Sequence, residues 1–146
     1  MRLQDILAVK GTTVFTTSPD VLLADVVRQM VEHNIGSMLV CRRDPEFGER
    51  LVGIVTERDM LHFLAAGRCD FKEITVADVM TTKLITAKPT DSVADLMGVM
   101  TTHRIRHVPI VSGEHLVGMV SIGDLLKAQH DRLVAENQFM RDYIQG

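Results

Sequence analysis

Leu23, Val26, Val27, Met30 and Val31 recur at intervals of three and four, and so do Val93, Leu96, Met97 and Met100. That spacing gathers each set on one side of a 3.6-residue helix and predicts two amphipathic helices, entered shortly after Pro19 and Pro89. "SMLVC" and "LVGIV" follow the first helix, and "HVPIV" and "LVGMV" follow the second. Each run is short and apolar, and a polar turn separates the members of each pair, which is the pattern of paired strands. "TERDMLHFLAAG" and "SIGDLLKAQHDRL" then open on a hydroxyl residue and return to helical spacing. The chain therefore predicts short strand, helix, strand, strand, helix, written twice in an α/β (α+β) fold.

The repetition extends to the letters. "LVGIVTERDML" at 51–61 returns as "LVGMVSIGDLL" at 116–126, an offset of 65, while residues 16–35 match 86–105 at an offset of 70. Five extra residues in "CRRDPEFGER" account for the change, and the mixed charges of that segment around Pro45 and Gly48 read as a solvated hairpin loop. Further upstream, "QDIL" aligns with "ADVM" at an offset of 73, setting Asp5 beside Asp78. Such self-similarity defines two copies, assigned to residues 1–68 and 69–128, with 129–146 as a helical extension. A copy of about 60 residues builds only a marginal core, so the two are expected to pack in a two-fold arrangement with two equivalent clefts between them.

Composition narrows the function classes. Hydrophobic residues make up 46% and charged residues 24% of the 146, as in a folded globular protein. Aromatic residues are 4% and Trp is absent, so Val, Leu, Ile and nine Met must fill the core. A net charge of −3 gives no global attraction to nucleic acid or an anionic membrane. The amino end carries Arg2, Asp5 and Lys10 around a short apolar run, unlike a secretory signal, and no stretch approaches the roughly 20 apolar residues of a membrane span. A cytoplasmic location is expected. Cys41, in a predicted strand, and Cys69, in a predicted loop, form no CxxC pair, and that compartment disfavours a disulfide.

Two segments carry candidate chemistry. Thr56-Glu57-Arg58-Asp59 and Ser121-Ile122-Gly123-Asp124 each set a hydroxyl and a carboxylate three residues apart where a strand enters a helix. One reading is a capping box, in which hydroxyl and carboxylate satisfy backbone N–H groups of the first turn. A second reading adds a ligand: two carboxylate oxygens match the two hydroxyls of a ribose diol, and the helix amino terminus favours a nearby phosphate. Gly53 and Gly118, three residues before each turn, let a ligand or another backbone approach closely, or mark a bulge.

The paired "hVGhV(T/S)xxD" motifs, each preceded by a Pro-led helix and by "IGSMLV" or "IRHVPIV", resemble the tandem cystathionine-beta-synthase (CBS) domain pair, or Bateman module, over residues 3–128. The resemblance implies a regulatory module that binds an adenosine nucleotide between its repeats and has no chemistry of its own. By that resemblance Asp59 and Asp124 hold ribose, and Thr56 and Ser121 lie near ribose or phosphate. Thr16 with Ser37 and Met38, and Thr86 with His107, Val108 and Pro109, frame adenine. Arg104, Arg106 and His107 take phosphate, and Arg58 is assigned to the second cleft, across the two-fold. Where the second copy has Arg106-His107-Val108-Pro109, the first has Gly36-Ser37-Met38-Leu39, so the Asp124 site is expected to bind the anionic nucleotide more tightly.

AMP is the first expectation for the ligand, followed by ADP, ATP and NAD(H). An S-adenosylmethionine-binding pair and a ligand-free dimerisation adaptor are the alternatives. Ligand binding is expected to change the angle between halves or subunits and so alter contact with an unidentified regulated protein, which requires unequal affinity for two arrangements. Members of the family commonly dimerise through helices of the paired repeats, and a homodimer is expected here.

An enzyme is not expected, because no nucleophile stands beside a base and no Gly-rich phosphate loop is present. No metal is expected either: His103 and His107 are four apart, but the predicted boundary between helix and strand falls between them. In the tail, Leu126, Leu133 and Met140 recur at seven, with Leu125, Phe139 and Ile144 nearby. His130 and Asn137 interrupt that seam, which argues against a free-standing coiled coil and for a tail packed on its own module or on a sister subunit.

Overall fold

The structure is a computed structural model that describes residues 1–46 and 48–145. In chain order its elements are α1 (Leu3–Lys10), β1 (Thr16–Thr17), α2 (Leu23–His33), β2 (Ser37–Asp44), β3 (Gly48–Thr56), α3 (Glu57–Ala65), a single 3-10 turn (Val76–Asp78), α4 (Val93–His103), β4 (His107–Ser112), β5 (His115–Ser121) and α5 (Ile122–Gln145). The doubled order of strand, helix, strand, strand, helix is thus present, with the leading strand of the second copy reduced to a parallel bridge between Ala87 and Ile110.

Two compact units divide the chain differently from the repeats. One comprises Thr13–Ile85 with Ser112–Leu116, and the other comprises Met1–Thr12, Thr86–Val111 and the chain from Val117 onward. Leu3, Ile6 and Leu7 of α1 are therefore buried with Val93, Leu96, Met100, Val108 and Leu125 of the second copy. Val76 of the 3-10 turn is buried with Leu23, Val26, Met30, Val40 and Val55 of the first. Each repeat's leading segment enters the core of the other.

The attachments are equivalent bond for bond. Leu3 N–H donates to Asp91 O at 3.0 Å and Gln4 N–H to Pro89 O at 2.8 Å, while Val76 N–H donates to Val21 O at 2.9 Å and Ala77 N–H to Pro19 O at 3.0 Å. Asp5 and Asp78, aligned by the repeat, also act alike, accepting from Arg2 N–H at 2.9 Å and Thr75 N–H at 3.0 Å.

In the Thr13–Ile85 unit, β1 pairs in parallel with β2, and β2 pairs antiparallel with β3 in a register that sets Ser37 opposite Thr56. The ladder continues through Arg42 opposite Arg50 to Asp44 opposite Gly48, so most of the segment expected as a hairpin loop is extended strand. Its charged side chains project to solvent from both strands, which lets the pairing run on beyond the core. His115, at the start of β5, pairs with Arg50, and Glu114 lies 3.7 Å from the Arg50 guanidinium. α2 buries Leu23, Val26 and Met30, but Val31, expected on the same face, is 75% exposed because it lies at the edge of the buried arc.

In the other unit, α4 presents Val93, Leu96 and Met100 inward, and β4 neighbours β5. The two helices end alike, on Asn34 at φ 52° and Arg104 at φ 55°. Asparagine adopts this left-handed conformation readily; arginine does so at greater cost.

Both cysteines are unpaired thiols, Cys41 in β2 and Cys69 in a loop, as expected. Burial, reinforced by the neighbouring Glu49 carboxylate, pushes the Cys41 thiol up to about 12 and keeps it protonated at neutral pH. α5 continues unbroken into the predicted helical extension, and residues 130–145 are all exposed. The tail does not pack on its own module over that length. Gly146, the last residue assigned to the extension, lies outside the described residues. Among the described residues no helix is long and apolar enough to cross a membrane.

Candidate functional site

Each hydroxyl-x-x-Asp turn is held by the strand it leaves and by the residue that precedes the neighbouring strand. Glu57 N–H donates to Gly36 O at 3.0 Å, and the equivalent Ile122 N–H donates to Arg106 O at 2.8 Å. In the first turn Thr56 Oγ1 accepts from Asp59 N–H at 3.2 Å, and Asp59 Oδ2 accepts from Thr56 N–H at 2.8 Å and from its hydroxyl at 3.0 Å. In the second, Ser121 Oγ accepts from Asp124 N–H at 3.0 Å and Asp124 Oδ2 accepts from Ser121 N–H at 2.8 Å. Both turns are capping boxes, so that reading of the motif holds. Capping occupies Oδ2 in both cases.

Around the first turn, strand pairing gathers Ser37 beside Thr56, Met38 beside Val55, and Thr16 beside Leu39. Ser37 and Met38 are buried, Thr16 is half-buried, and Arg58 is exposed on the first turn of α3. Around the second turn, Ala87 N–H donates to Pro109 O at 3.0 Å, which brings Thr86 alongside the "HVP" segment. Val108 and Pro109 are buried, His107 is half-buried, and Arg104, Arg106 and Thr86 are exposed. The Met38 and Val108 side chains belong to their cores.

Gly53 and Gly118 have a cause that sequence reasoning left open. A Cβ on Gly53 would stand 2.8 Å from Met80 Sδ and 3.1 Å from Thr81 O, and one on Gly118 would stand 3.0 Å from Leu7 Cδ2. Leu7 and Met80 are the last residues of "QDIL" and "ADVM". The glycines therefore admit the exchanged segments, and each does so at the equivalent place.

Beyond these segments the two turns diverge. Lys10 Nζ donates to Asp124 Oδ2 at 2.6 Å and to Met119 O at 2.7 Å. Burial opposes ionisation of Asp124, but the Lys10 ammonium and the Ser121 N–H and hydroxyl outweigh it and hold the carboxyl below the usual range. Lys83 is the counterpart of Lys10 at the offset of 73, yet it makes no ion pair among the described residues. Instead Thr81 Oγ1 donates to Asp59 Oδ1 over 3.5 Å, too long for a strong bond. Sequence reasoning missed Lys10 and Thr81 as partners of the two carboxylates, although the "QDIL"/"ADVM" offset, carried three residues further, pairs Lys10 with Lys83.

The Lys10–Asp124 pair, with side chains 36% and 27% exposed, is expected to contribute about 1 kcal/mol of coupling after solvent screening. A double-mutant cycle of Lys10→Met and Asp124→Asn, followed by urea unfolding, measures it. Because the folded-state pKa of Asp124 is depressed, the contribution is present above about pH 4 and is lost as pH falls through the lower folded value. Zero coupling at pH 7 would remove the pair from the account.

The profile of the CBS domain matches residues 6–66 and 76–131. The chain is 38% identical over 138 residues to the mitochondrial CBS domain-containing protein CBSX3 of Arabidopsis thaliana, covering 93% of this chain and 66% of the relative. It is 36% identical over 115 residues to the CBS domain-containing protein YhcV of Bacillus subtilis, covering 78% and 77%. The chain thus spans just under two thirds of the plant relative, and 32% of a 33.4 kDa protein of Thermofilum pendens to which it is 40% identical over 104 residues. Among solved structures, a CBS-domain protein from Agrobacterium tumefaciens superposes with a TM-score of 0.78 at 32% identity, over 88% of this chain and 99% of that one. A hexameric CBS-CP12 protein from bloom-forming cyanobacteria gives 0.70 at 28% identity, over 86% and 69%. A CBS domain pair in complex with 5′-methylthioadenosine and S-adenosyl-L-methionine shares the fold, with a TM-score of 0.73 at 24% identity, over 90% and 98%.

Proposed function

Since the chain belongs to the CBS-domain family, as a tandem pair forming a regulatory module, we propose that it binds an adenosine-containing nucleotide at its two hydroxyl-x-x-Asp turns and passes the occupancy to a partner protein. AMP is the first ligand in this reading; ADP, ATP, NAD(H) and S-adenosylmethionine follow. No step of catalysis is assigned to the chain. The observation that carries the reading is the division of labour within each carboxylate. Oδ2 serves the helix cap, whereas Oδ1 of Asp124 has no partner among the described residues and Oδ1 of Asp59 has only the 3.5 Å contact from Thr81. A free carboxylate oxygen beside a helix amino terminus suits a sugar hydroxyl with phosphate nearby.

In this reading Asp59 and Asp124 hold ribose, while Thr56 and Ser121 sit near ribose or phosphate. Thr16, Ser37 and Met38 frame one adenine; Thr86, His107, Val108 and Pro109 frame the other. Arg104, Arg106 and His107 take phosphate at the Asp124 turn, with Arg58 as a further cation. The left-handed backbone of Arg104 fits such a role, because a cation is kept where the equivalent Asn34 is less strained. A homodimer is part of the proposal; the cyanobacterial CBS-CP12 protein, by comparison, is hexameric.

A second reading rests on the complete capping boxes: the carboxylates only finish their helices, and the pair is a ligand-free adaptor. Thermal melts with AMP, ADP, ATP, NAD(H), S-adenosylmethionine and GTP separate the two. A ligand at 100 times its dissociation constant is expected to add about 2.7 kcal/mol of apparent stability. No shift with any adenosyl compound would leave the adaptor.

A further inference from the structure

Residues 130–145 of α5 are exposed one after another, a length of about 24 Å at 1.5 Å per residue with no buried face. Most helical stability in proteins comes from packing an amphipathic face, and this stretch packs none within its own chain. Its side chains are not those of a solvated helix. Leu126, Leu133, Met140 and Ile144 are 53%, 59%, 54% and 78% exposed. With His130 and Asn137 they form one stripe whose spacing alternates between four and three, the seam of a two-stranded coil.

We propose that this stripe docks a second copy of the chain, with the two α5 helices parallel and in register. Asn137 selects the arrangement. In register each seam residue meets its own counterpart, so one amide N–H donates to the other amide C=O. An antiparallel pairing sets Asn137 against Leu133 or Met140 of the other copy and leaves the amide buried without a partner. Charge points the same way. Glu136 and Arg141 lie on opposite flanks of the stripe, and only in the parallel arrangement does Glu136 of one copy face Arg141 of the other. Arg141 makes no ion pair in its own chain among the described residues, while Glu136 holds Arg132 at 3.2 Å and keeps one oxygen available. A stripe that matches itself in both amide and charge fits a second copy of this chain better than an unrelated helix.

Most of the seam lies past residue 131, where the CBS match ends, so the device belongs to this chain's own tail. It also turns Asn137, one of the two polar interruptions of the seam, into a determinant of register. The inference is independent of the nucleotide reading and survives if that reading fails.

Sedimentation equilibrium on the full chain tests it. The unmodified chain is expected to be a dimer, and Leu133→Lys combined with Met140→Lys to raise the dissociation constant about a hundredfold. Both side chains are exposed, so circular dichroism should show the repeats still folded. Orientation is read separately from Ile144→Cys in a Cys69→Ser background, which is expected to form an interchain disulfide under mild oxidation. A chain that is monomeric at every concentration, or a dimer indifferent to the two lysines, overturns the proposal. So does absence of the cross-link, because antiparallel helices hold the two 144 positions at opposite ends.

Discussion

Replacing Gly53 with alanine is expected to destabilise the chain by about 2 kcal/mol, whereas the same change at Gly118 should alter stability by less than about 0.5 kcal/mol. Two opposing effects set these values. Alanine is favoured over glycine within a strand by roughly 0.5–1 kcal/mol, because less backbone freedom is lost on folding. Overpacking costs about 1–3 kcal/mol, and its size depends on whether the obstacle can yield. At Gly118 the obstacle is the end of the Leu7 side chain, with its nearest atom at 3.0 Å and the next at 3.5 Å. A small rotation relieves it. At Gly53 the new methyl meets Met80 Sδ at 2.8 Å and Cγ at 3.2 Å, and also the carbonyl oxygen of Thr81 at 3.1 Å. That carbonyl accepts from Ile54 N–H at 3.0 Å, and Thr81 N–H returns a bond to Ile54 O at 2.9 Å. The backbone cannot retreat without losing both. Urea unfolding of the two variants measures the difference, and Met80→Ala added to Gly53→Ala should recover only part of the loss. Equal costs at the two glycines would show that the exchanged segments do not press on them as described.

This asymmetry also marks where sequence reasoning reaches its limit. The doubled order of strand, helix, strand, strand, helix was legible because burial imposes local periods, whereas α1, with only Leu3, Ile6 and Leu7 buried, was not read as a helix. The hydroxyl-x-x-Asp caps were legible for the same reason, since all their bonds close within three residues. Which core receives "QDIL" and which receives "ADVM" was not. Both cores offer a glycine-bearing strand of the same pattern, so four apolar-rich letters fit either, and the choice is made by contacts distant along the chain. The Lys10–Asp124 bond was hidden likewise, because 114 residues separate its partners. In the tail, the heptad spacing was visible but its exposure was not. Only the structure shows that the module leaves the stripe uncovered.

Exchange of the leading segments has a consequence for stability. Each core buries apolar side chains from both copies, Leu3, Ile6 and Leu7 in one and Val76 in the other. Neither repeat, cut at its sequence boundary, would keep its full core, and a fragment of about 60 residues has little stability to lose.

Substituting asparagine for each aspartate separates capping from ligand binding. Asparagine can still accept the backbone N–H that closes the cap, so Asp59→Asn and Asp124→Asn should remain folded, while alanine at either position also forfeits the cap, at about 1 kcal/mol. If the carboxylates hold ribose, losing a charge-assisted bond of roughly 1.5–3 kcal/mol weakens nucleotide binding at that site about 10- to 100-fold. The sites are not expected to be equal. Arg104 and Arg106 stand exposed by the Asp124 turn, where the first copy has Asn34 and Gly36. Calorimetric titration with AMP should therefore show the tighter event lost in Asp124→Asn and the weaker one lost in Asp59→Asn. Lys10 moderates the contrast, because a ribose at Asp124 approaches a carboxylate already paired, whereas Asp59 has only neutral donors. Loss of the tighter event in Asp59→Asn instead would mean that an uncompensated carboxylate outweighs the nearby cations. Affinities unchanged in both variants would return the two aspartates to their helix caps alone.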